Sequence, residues 1–146
     1  MYFLIFVGGV MIALNVQNMF QCVQAAGDDN ESLIETCSNI VQGTTEDLMA
    51  QYRVNEFPDD IVTHCFVRCL GLKLNLYNDE DGVDLQANWE HLGKADDVNE
   101  FITKHRVCLA TKNLDTIEDL CDRAYSAFQC LMEDYGVDQN KTNVTS

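Results

Sequence analysis

Cysteine is the residue type whose number and spacing in this chain could support chemistry. Seven cysteines occur among 146 residues, and Cys65 and Cys69 are four residues apart. At that spacing two side chains lie one turn apart on the same face of a helix. If both are oxidised, each must bond to a different part of the chain. The helix that carries them would then be tied to two other elements.

The first 25 residues are typical of a secretory signal peptide. Residues 2–14 are an apolar run of 13, no charged side chain occurs in the segment, and small residues surround a cleavage site after Ala25 or Ala26. The alternative is an uncleaved membrane anchor, but the run is shorter than the ~20 residues that a span needs. We therefore expect a signal peptide over residues 1–25 and a secreted, extracellular domain over residues 26–146, without stable membrane insertion.

Removal of the signal peptide would remove Cys22 and leave six cysteines. An even number in a small secreted domain predicts three disulfides, although spacing alone leaves most pairings open. Cys121 and Cys130 are nine residues apart on one predicted helix and point to opposite sides, so they must face different partners. Three glycosylation sequons, at Asn30, Asn140 and Asn143, are compatible with secretion.

Acidic side chains dominate the charge of the chain. Nine basic residues stand against 24 acidic ones, which gives a formal net charge of -15. This balance argues against binding to nucleic acid and against attraction to anionic membrane surfaces. The interpretation that we prefer is solubility at high concentration.

Sequence patterns of enzymes and metal sites are missing. A calcium loop around the acidic turn at residues 78–82 would need acids at Tyr77 and Asn88, its first and twelfth positions. No His-Asp dipeptide, G-x-S-x-G or H-E-x-x-H motif occurs. Cysteines used in disulfides leave no thiol nucleophile and no zinc site. The sequence therefore predicts a protein that is not an enzyme and that holds no cofactor and no metal.

Apolar residues recur at helical spacing along the mature chain and predict about six helices and no strand. The first helix is expected to begin with a capping box at Ser32 and Glu35 and to stop at Gly43. Thr44 is expected to open the second helix. After a loop, the acidic pair at residues 59–60 suits the start of the third, where acids complement the helix dipole.

The third helix carries the central cysteines, and its predicted inner face comprises Val62, Cys65, Phe66, Cys69 and Leu70. His64, Arg68 and Gly71 are predicted to lie on the opposite face. A turn follows at residues 78–82, then a helix over residues 83–92 and another from Val98. The longest helix is expected to be capped at Asp115 and to carry an apolar stripe as far as Leu131.

The full cysteine spacing is Cys37-x27-Cys65-x3-Cys69-x38-Cys108-x12-Cys121-x8-Cys130. It resembles the six-cysteine pattern of insect odorant-binding proteins, and the resemblance covers essentially the whole mature chain. It implies an all-α fold, a compact bundle of about six helices stapled by three disulfides around an apolar cavity. It also implies disulfides that join the first cysteine to the third, the second to the fifth and the fourth to the sixth. In this chain those pairs are Cys37–Cys69, Cys65–Cys121 and Cys108–Cys130.

The same resemblance implies a carrier of small hydrophobic molecules, odorants or pheromones among them, that delivers its ligand to chemosensory receptors. The expected partners are a small hydrophobic ligand and a receptor, with no nucleic acid, and we expect a monomer or weak homodimer. The alternative is a non-olfactory carrier or scavenger in haemolymph, saliva or reproductive fluid, because a fold does not specify the tissue or the ligand.

A ligand cavity in such a bundle would be lined by aromatic and flexible apolar side chains at helical spacing. The candidate ligand-binding residues are Met49, Tyr52, Phe66, Trp89, Phe101, Tyr125 and Phe128. Each of them is equally compatible with an ordinary core position. Phe128 is the strongest candidate, and the hydroxyl groups of Tyr52 and Tyr125 could bond either a polar ligand group or the protein itself.

His105 falls on the apolar face of its predicted helix. One hypothesis is a pH switch, in which protonation of a half-buried imidazole loosens the pocket and releases the ligand. The alternative is a core histidine whose hydrogen bonds are satisfied. His64 is predicted to lie at the surface and His91 near a helix end. Beyond Gly136 the tail is polar from about residue 137, so at most a partial lid over residues 135–137 is expected.

Overall fold

The computed structural model describes residues 4–7, 10–13, 17–95 and 97–137, and it describes side chains from residue 29 onward. The side chains of the predicted signal peptide, the part of the predicted tail beyond Val137 and the sequons at Asn140 and Asn143 lie outside the described residues. The chain divides into two compact units, Met1–Leu33 and Ile34–Ser146. In the part that is described, no helix is long and apolar enough to cross a membrane.

The first unit contains an antiparallel pair of strands and most of a long helix. Strand β1 (Leu4–Val7) pairs with β2 (Val10–Ala13), and helix α1 spans Gln17–Ile40. The predicted capping box at Ser32 is wrong, because this residue lies inside a continuous helix. Amide groups in the interior of a helix bond to carbonyl groups four residues earlier, so no open amide at this position requires a side-chain cap.

The second unit is built almost entirely from helices. Its elements are α2 (Glu46–Arg53), α3 (Ile61–Lys73), β3 (Tyr77–Asn78), β4 (Gly82–Val83), α4 (Leu85–His91), α5 (Val98–Thr111), a short 3₁₀ helix (Leu114–Thr116) and α6 (Leu120–Phe128). With α1 they make six α-helices among the described residues, which confirms the all-α prediction. The two short strand pairs were not predicted from the hydrophobic pattern.

Side chains cap the start of each of the five α-helices from α2 to α6. The capping residues, each accepting a backbone N–H bond, are Thr45, Asp60, Asp84, Asp97 and Asp119. The second helix therefore begins one residue later than predicted from Thr44. The hydroxyl group of Thr44 instead donates to the carbonyl of Val41 at 2.9 Å, so it closes the end of α1.

The predicted long final helix is wrong in both its start and its end. Asn113 adopts a left-handed conformation with φ 50°, and Ile117 is extended, so only a short 3₁₀ turn forms between them. Helix α6 then begins after Asp119 and ends at Phe128, whereas Cys130 lies in the turns that follow. The argument that placed the last two cysteines on opposite sides of one helix therefore does not apply.

The most extensive contact between elements of the second unit joins α3 to α6. Cys65 of α3 is bonded to Cys121 of α6, and Cys69 is bonded to Cys37 of α1, with Cα–Cα distances of 4.5 and 5.7 Å. The third disulfide joins Cys108 of α5 to Cys130, at 5.8 Å. These are the pairs that the family resemblance implies. Helix α3 is thus fastened to two other helices from adjacent turns.

The hairpin β3–β4 confirms the predicted turn at residues 78–82. The side-chain oxygen of Asn78 accepts the backbone N–H groups of Glu80 and Asp81, and Gly82 follows with φ 81°. This hairpin packs closely on α3. A Cβ atom at Gly71 would lie 2.9 Å from the Cβ of Tyr77, so the predicted outward position of Gly71 is wrong: the glycine permits the hairpin to approach.

Candidate functional site

Five aromatic rings from five parts of the chain form a continuous cluster. Tyr52 of α2 stacks on Phe66 of α3, with centroids 3.9 Å apart. Phe57 contacts Tyr52 at 5.7 Å and meets the edge of Phe128 at 5.6 Å. Phe128 in turn contacts Tyr135 at 5.8 Å. We call these five residues the aromatic cluster.

The cluster changes character along its length. Phe66 and Tyr52 are buried and cover each other, whereas Phe128 and Tyr135 are half-buried. Half-buried aromatic rings offer flat apolar area that a small ligand could cover. The half of the cluster that ends at Phe128 and Tyr135 is therefore the part that could bind a hydrophobic molecule.

Phe57 joins the two halves and was missed in the sequence. It lies in the loop before Pro58, where no helical or strand periodicity applies, yet it is buried. The only available signal was a lone aromatic residue in an otherwise polar loop.

The hydroxyl groups of Tyr52 and Tyr125 are already bonded to protein. The oxygen of Tyr52 lies 3.0 Å from the hydroxyl of Thr63, which itself donates to Asp60. The hydroxyl of Tyr125 donates to the carbonyl of Phe57 at 2.9 Å. Burial raises the pKa of Tyr52 to about 12 and also raises the pKa of Tyr125. Both side chains act as structural hydrogen-bond donors, and a polar ligand group could bond to them only by displacing these contacts.

A third hydroxyl group, that of Tyr135, lies at the half-buried end of the cluster. It donates to the side-chain oxygen of Asn88 at 2.7 Å. Asn88 is itself buried and donates to the backbone carbonyls of Leu76 and Asp84. Burial raises the pKa of Tyr135 to about 12, so the hydroxyl stays protonated at neutral pH. This polar contact was not foreseen, because it depends on a side chain 47 positions away.

The remaining predicted ligand-binding residues lie elsewhere in the second unit. Phe101 is buried against His105 of the same helix, with ring centroids 4.2 Å apart. Met49 of α2 and Trp89 of α4 are half-buried. Of the seven candidates, the aromatic cluster brings together Tyr52, Phe66 and Phe128. Their predicted role toward a ligand remains a prediction.

His105 is fully buried, with a relative exposure of 1%. Its Nδ1 lies 2.9 Å from the carbonyl oxygen of Cys130 and its Nε2 lies 3.1 Å from a carboxylate oxygen of Asp134. A carbonyl only accepts, so Nδ1 carries the proton in this contact. Lys94 and Lys104 also contact Asp134, at 3.0 and 3.3 Å.

Burial and neighbouring charges act in opposite directions on the pKa values of His105 and Asp134. Burial lowers the pKa of His105 below its ordinary value of 6.5, although the carboxylate of Asp134 acts in the opposite direction. Burial alone would raise the pKa of Asp134, but hydrogen bonds from Lys94 and Lys104 bring it below its ordinary value. The contacts hold the segment after α6 against α5 and the loop before it.

The segment after α6 covers part of the bundle. Leu131, Met132 and Val137 are buried, and the half-buried Tyr135 is bonded to α4 through Asn88. A partial lid over residues 135–137 was predicted. The described residues of this segment are packed and hydrogen-bonded against α4 and α5.

The predicted surface position of His64 is wrong. Its side chain is only 14% exposed, and its ring stacks on Tyr125 with centroids 4.0 Å apart. Nδ1 lies 2.7 Å from Asp122 and Nε2 lies 2.7 Å from Asp59. Helix α6 covers this face of α3, so the periodicity of one helix could not reveal the burial. His91 is the last residue of α4, as predicted.

Among the side chains that are described, no group of three or more histidine, cysteine, aspartate or glutamate residues is arranged to hold a metal ion. What the second unit offers a ligand is apolar and aromatic area with a single hydroxyl group beside it. Such a surface can bind an uncharged molecule by excluding water from it.

Helices fastened by three interlocking disulfides, with aromatic rings reaching from the core to a half-buried end, define a helical binding domain. The chain belongs to the PBP/GOBP family, whose model matches residues 20–134. The resemblance that the cysteine spacing indicates is thereby confirmed.

Two curated relatives are odorant-binding proteins of flies. General odorant-binding protein 99b of Drosophila melanogaster is 32% identical over 92 residues, which cover 60% of each chain. Odorant-binding protein 22 of Aedes aegypti is 28% identical over 87 residues, covering 60% of this chain and 61% of that protein. The chain thus aligns with about three fifths of the length of these relatives.

Solved structures show a closer similarity. A crystal structure of Anopheles gambiae odorant-binding protein 22a is 69% identical, with a TM-score of 0.68, and the match covers 71% of this chain and 97% of that chain. A second structure of that protein contains bound odorant cyclohexanone; it is also 69% identical, with a TM-score of 0.69, and covers 72% of this chain and 90% of that chain.

Proposed function

We propose that this chain is a secreted carrier that binds a small hydrophobic molecule in an internal cavity and delivers it to chemosensory receptors. One observation carries the proposal. Anopheles gambiae odorant-binding protein 22a, which is 69% identical over most of its length, has been crystallised with bound cyclohexanone. Within the aligned part, such identity supports a similar site between the same helices.

The aromatic cluster suggests how such a ligand would bind. Burial of apolar area contributes roughly 25 cal/mol per Å², so a small ligand gains most of its affinity by covering the rings of Phe128 and Tyr135. A ligand that carries a carbonyl group could also accept a hydrogen bond from the hydroxyl group of Tyr135. It would then compete with Asn88, whose oxygen holds that proton at 2.7 Å.

The carrier would perform no covalent chemistry. All six cysteines of the described second unit form disulfides, so none of them provides a thiol. Binding would be reversible and governed by the area that the ligand buries. We further propose that the carrier acts as a monomer or weak homodimer.

Secretion is part of this proposal and has its own test. The apolar run at residues 2–14 and the small residues at Ala25 and Ala26 support removal of a signal peptide. Expression in insect cells, followed by mass spectrometry of the protein in the medium, would give the first residue. An intact Met1 would contradict cleavage.

Displacement of a fluorescent apolar reporter tests ligand binding. We expect saturable uptake at one site by the oxidised chain and reversal by cyclohexanone. Phe128→Ala should weaken the binding of the reporter by about tenfold, since the loss of one ring contact removes on the order of 1.4 kcal/mol. Val107→Ala is the matched control, because Val107 is 64% exposed on α5. If a correctly oxidised monomer shows no saturable uptake, the carrier proposal fails.

Delivery to receptors requires a separate experiment. Olfactory receptors expressed in cultured cells would be exposed to a poorly soluble ligand with and without the chain. The proposal predicts a larger response when the chain is present and a smaller gain with Phe128→Ala. An unchanged response with bound ligand would favour a carrier or scavenger outside chemosensation.

A further inference from the structure

A second concave surface lies along the face of α3 that carries Val62, Cys65 and Cys69, and none of the seven predicted ligand-binding residues lines it. It is a groove of about 460 Å³. It is lined by the end of α1 with the two residues after it, by one face of α3, and by cysteines of the two disulfides that α3 carries. Its volume falls in the range of roughly 300–1,000 Å³ that small-molecule sites occupy.

The groove exposes branched aliphatic side chains that a monomeric protein usually covers. Ile40 is 58% exposed, Ile61 is 57% exposed and Leu72 is 36% exposed, and all three line the groove. Single exposed aliphatic residues are ordinary, but three that line one groove offer a ligand more apolar area than scattered ones do. The disulfides beneath it hold α1, α3 and α6 together, so the groove is fixed in shape.

Two cations lie in the same groove. The guanidinium group of Arg68 donates to both carboxylate oxygens of Asp79 and is therefore neutralised. Lys73, the last residue of α3, is exposed and makes no ion pair or hydrogen bond with any described residue. In a chain with a formal charge of -15, this ammonium group is an unusual attractive point for an anion.

We propose that this groove binds an amphipathic carboxylate, such as a fatty acid, with its alkyl chain along Ile40, Ile61 and Leu72 and its carboxylate at Lys73. The apolar surface and the single unpaired cation match a ligand with one negative charge and a long apolar tail. A membrane surface fits less well, because anionic lipids attract clusters of basic residues rather than one lysine in an acidic protein. The proposal does not rest on ligand binding at the aromatic cluster.

Methyl NMR of the oxidised mature chain tests this site residue by residue. Sodium dodecanoate, below the concentration at which it forms micelles, is titrated while the methyl signals of Ile61 and Leu72 are followed. The uncharged methyl ester of the same acid is titrated in parallel. We expect saturable shifts of these methyl groups with the acid, and binding of the ester that is about two- to fivefold weaker.

Charge reversal provides a matched pair of variants. Lys73→Glu should weaken dodecanoate binding at the groove by about five- to tenfold. Arg106→Glu makes the same charge change at an exposed cation of α5 that has no partner among the residues described. It should change dodecanoate binding by less than about twofold, because salt screens distant charges. Ile61→Ser should weaken the acid and the ester alike. Thermal unfolding of each variant verifies that α3 remains folded.

Several outcomes would overturn the proposal. These are no saturable shift at Ile61 and Leu72, equal binding of acid and ester, or equal losses from the two charge reversals. Shifts that depend on protein concentration without dodecanoate would assign the groove to contacts between copies of the chain. Ring-proton signals of Phe128 and Tyr135, recorded during the same titration, report on the aromatic cluster separately. Failure of binding at one site is therefore distinguishable from failure at the other.

Discussion

The centre of the second unit and the segment after α6 are held by different kinds of interaction. The centre, where α3 meets α6, is fastened by the disulfide Cys65–Cys121 and by the buried half of the aromatic cluster. The segment at residues 129–137 is held by one disulfide, by the hydrogen bond from Tyr135 to Asn88, and by the ion pairs of Asp134 with Lys94 and Lys104. His64 of α3 also contacts Asp122 of α6, but the centre is held chiefly by apolar packing and a covalent bond.

This difference assigns the two regions different tasks. The centre sets the geometry of the bundle, and the segment after α6 can loosen without unfolding it. We therefore expect a ligand to enter beside Tyr135 and not beside Phe66. The predictions that follow alter one region at a time and are ordered from the largest expected effect.

Truncation of the central ring is expected to have the largest effect. Phe66→Ala removes a fully buried ring that stacks on Tyr52, and such truncations cost about 3–5 kcal/mol because a cavity remains. Urea unfolding measures the loss. Val107→Ala at an exposed position should change the stability by less than about 0.5 kcal/mol. Similar losses for the two variants would mean that the centre is loosely packed.

Loss of the central disulfide is expected to come next. Replacement of Cys65 and Cys121 by serine should cost about 2–4 kcal/mol, because the bond restricts the unfolded chain. Replacement of Cys108 and Cys130 should cost about 1 kcal/mol less, since their bond closes a separation of 22 residues instead of 56. If the second pair cost more, the segment after α6 would be the stronger anchor, and the comparison would be reversed.

The hydrogen bond of Tyr135 offers a smaller and more selective test. Tyr135→Phe leaves the oxygen of Asn88 without its donor and should cost about 0.5–1.5 kcal/mol. Tyr77→Phe is the matched control, because the buried hydroxyl of Tyr77 has no hydrogen-bond partner among the residues described, so its removal should cost nothing. Hydrogen exchange should show faster opening of residues 129–137 in Tyr135→Phe only. Equal stability and equal exchange rates in the two variants would show that the hydrogen bond of Tyr135 does not hold this segment.

The buried histidine should have its smallest effect at neutral pH and a growing effect in acid. The pKa of His105 is lower in the folded chain than its ordinary value of 6.5, so the folded state binds its proton less readily than the unfolded state does. Its contribution to stability is complete above that value and declines as the pH falls through it. His105→Gln should therefore flatten the pH dependence of unfolding between about pH 7.5 and pH 5.

The exposed His91 at the end of α4 provides the control for this measurement. His91→Gln should leave the pH profile close to that of the unaltered chain. If ligand release keeps its pH dependence in His105→Gln, the switch hypothesis for this residue fails, whatever the stability profile shows.

The cysteine spacing resembles that of a known family, and this resemblance implied the disulfide-stapled bundle and the three pairs that the structure joins. The start of the third helix at Asp60 also followed from local chemistry, whereas the last helix is capped by Asp119 and not by the predicted Asp115. Both kinds of inference use information that is present within one segment or in one spacing pattern.

Features that depend on a distant segment could not be predicted. Phe57 is buried because rings from three other elements surround it, and His64 is covered because α6 lies over it. The hydroxyl group of Tyr135 donates to Asn88, and no rule of sequence spacing connects these two residues. The groove beside Lys73 likewise requires three elements to be in place before its apolar residues form one surface.

The central claim is that one small hydrophobic molecule binds against the half-buried end of the aromatic cluster. Intermolecular nuclear Overhauser effects between cyclohexanone and the oxidised mature chain test it most directly. We predict contacts from the ligand protons to the rings of Phe128 and Tyr135, and weaker contacts in Phe128→Ala. Saturable binding with contacts only at Ile61 and Leu72, or no contacts at all, would contradict the account.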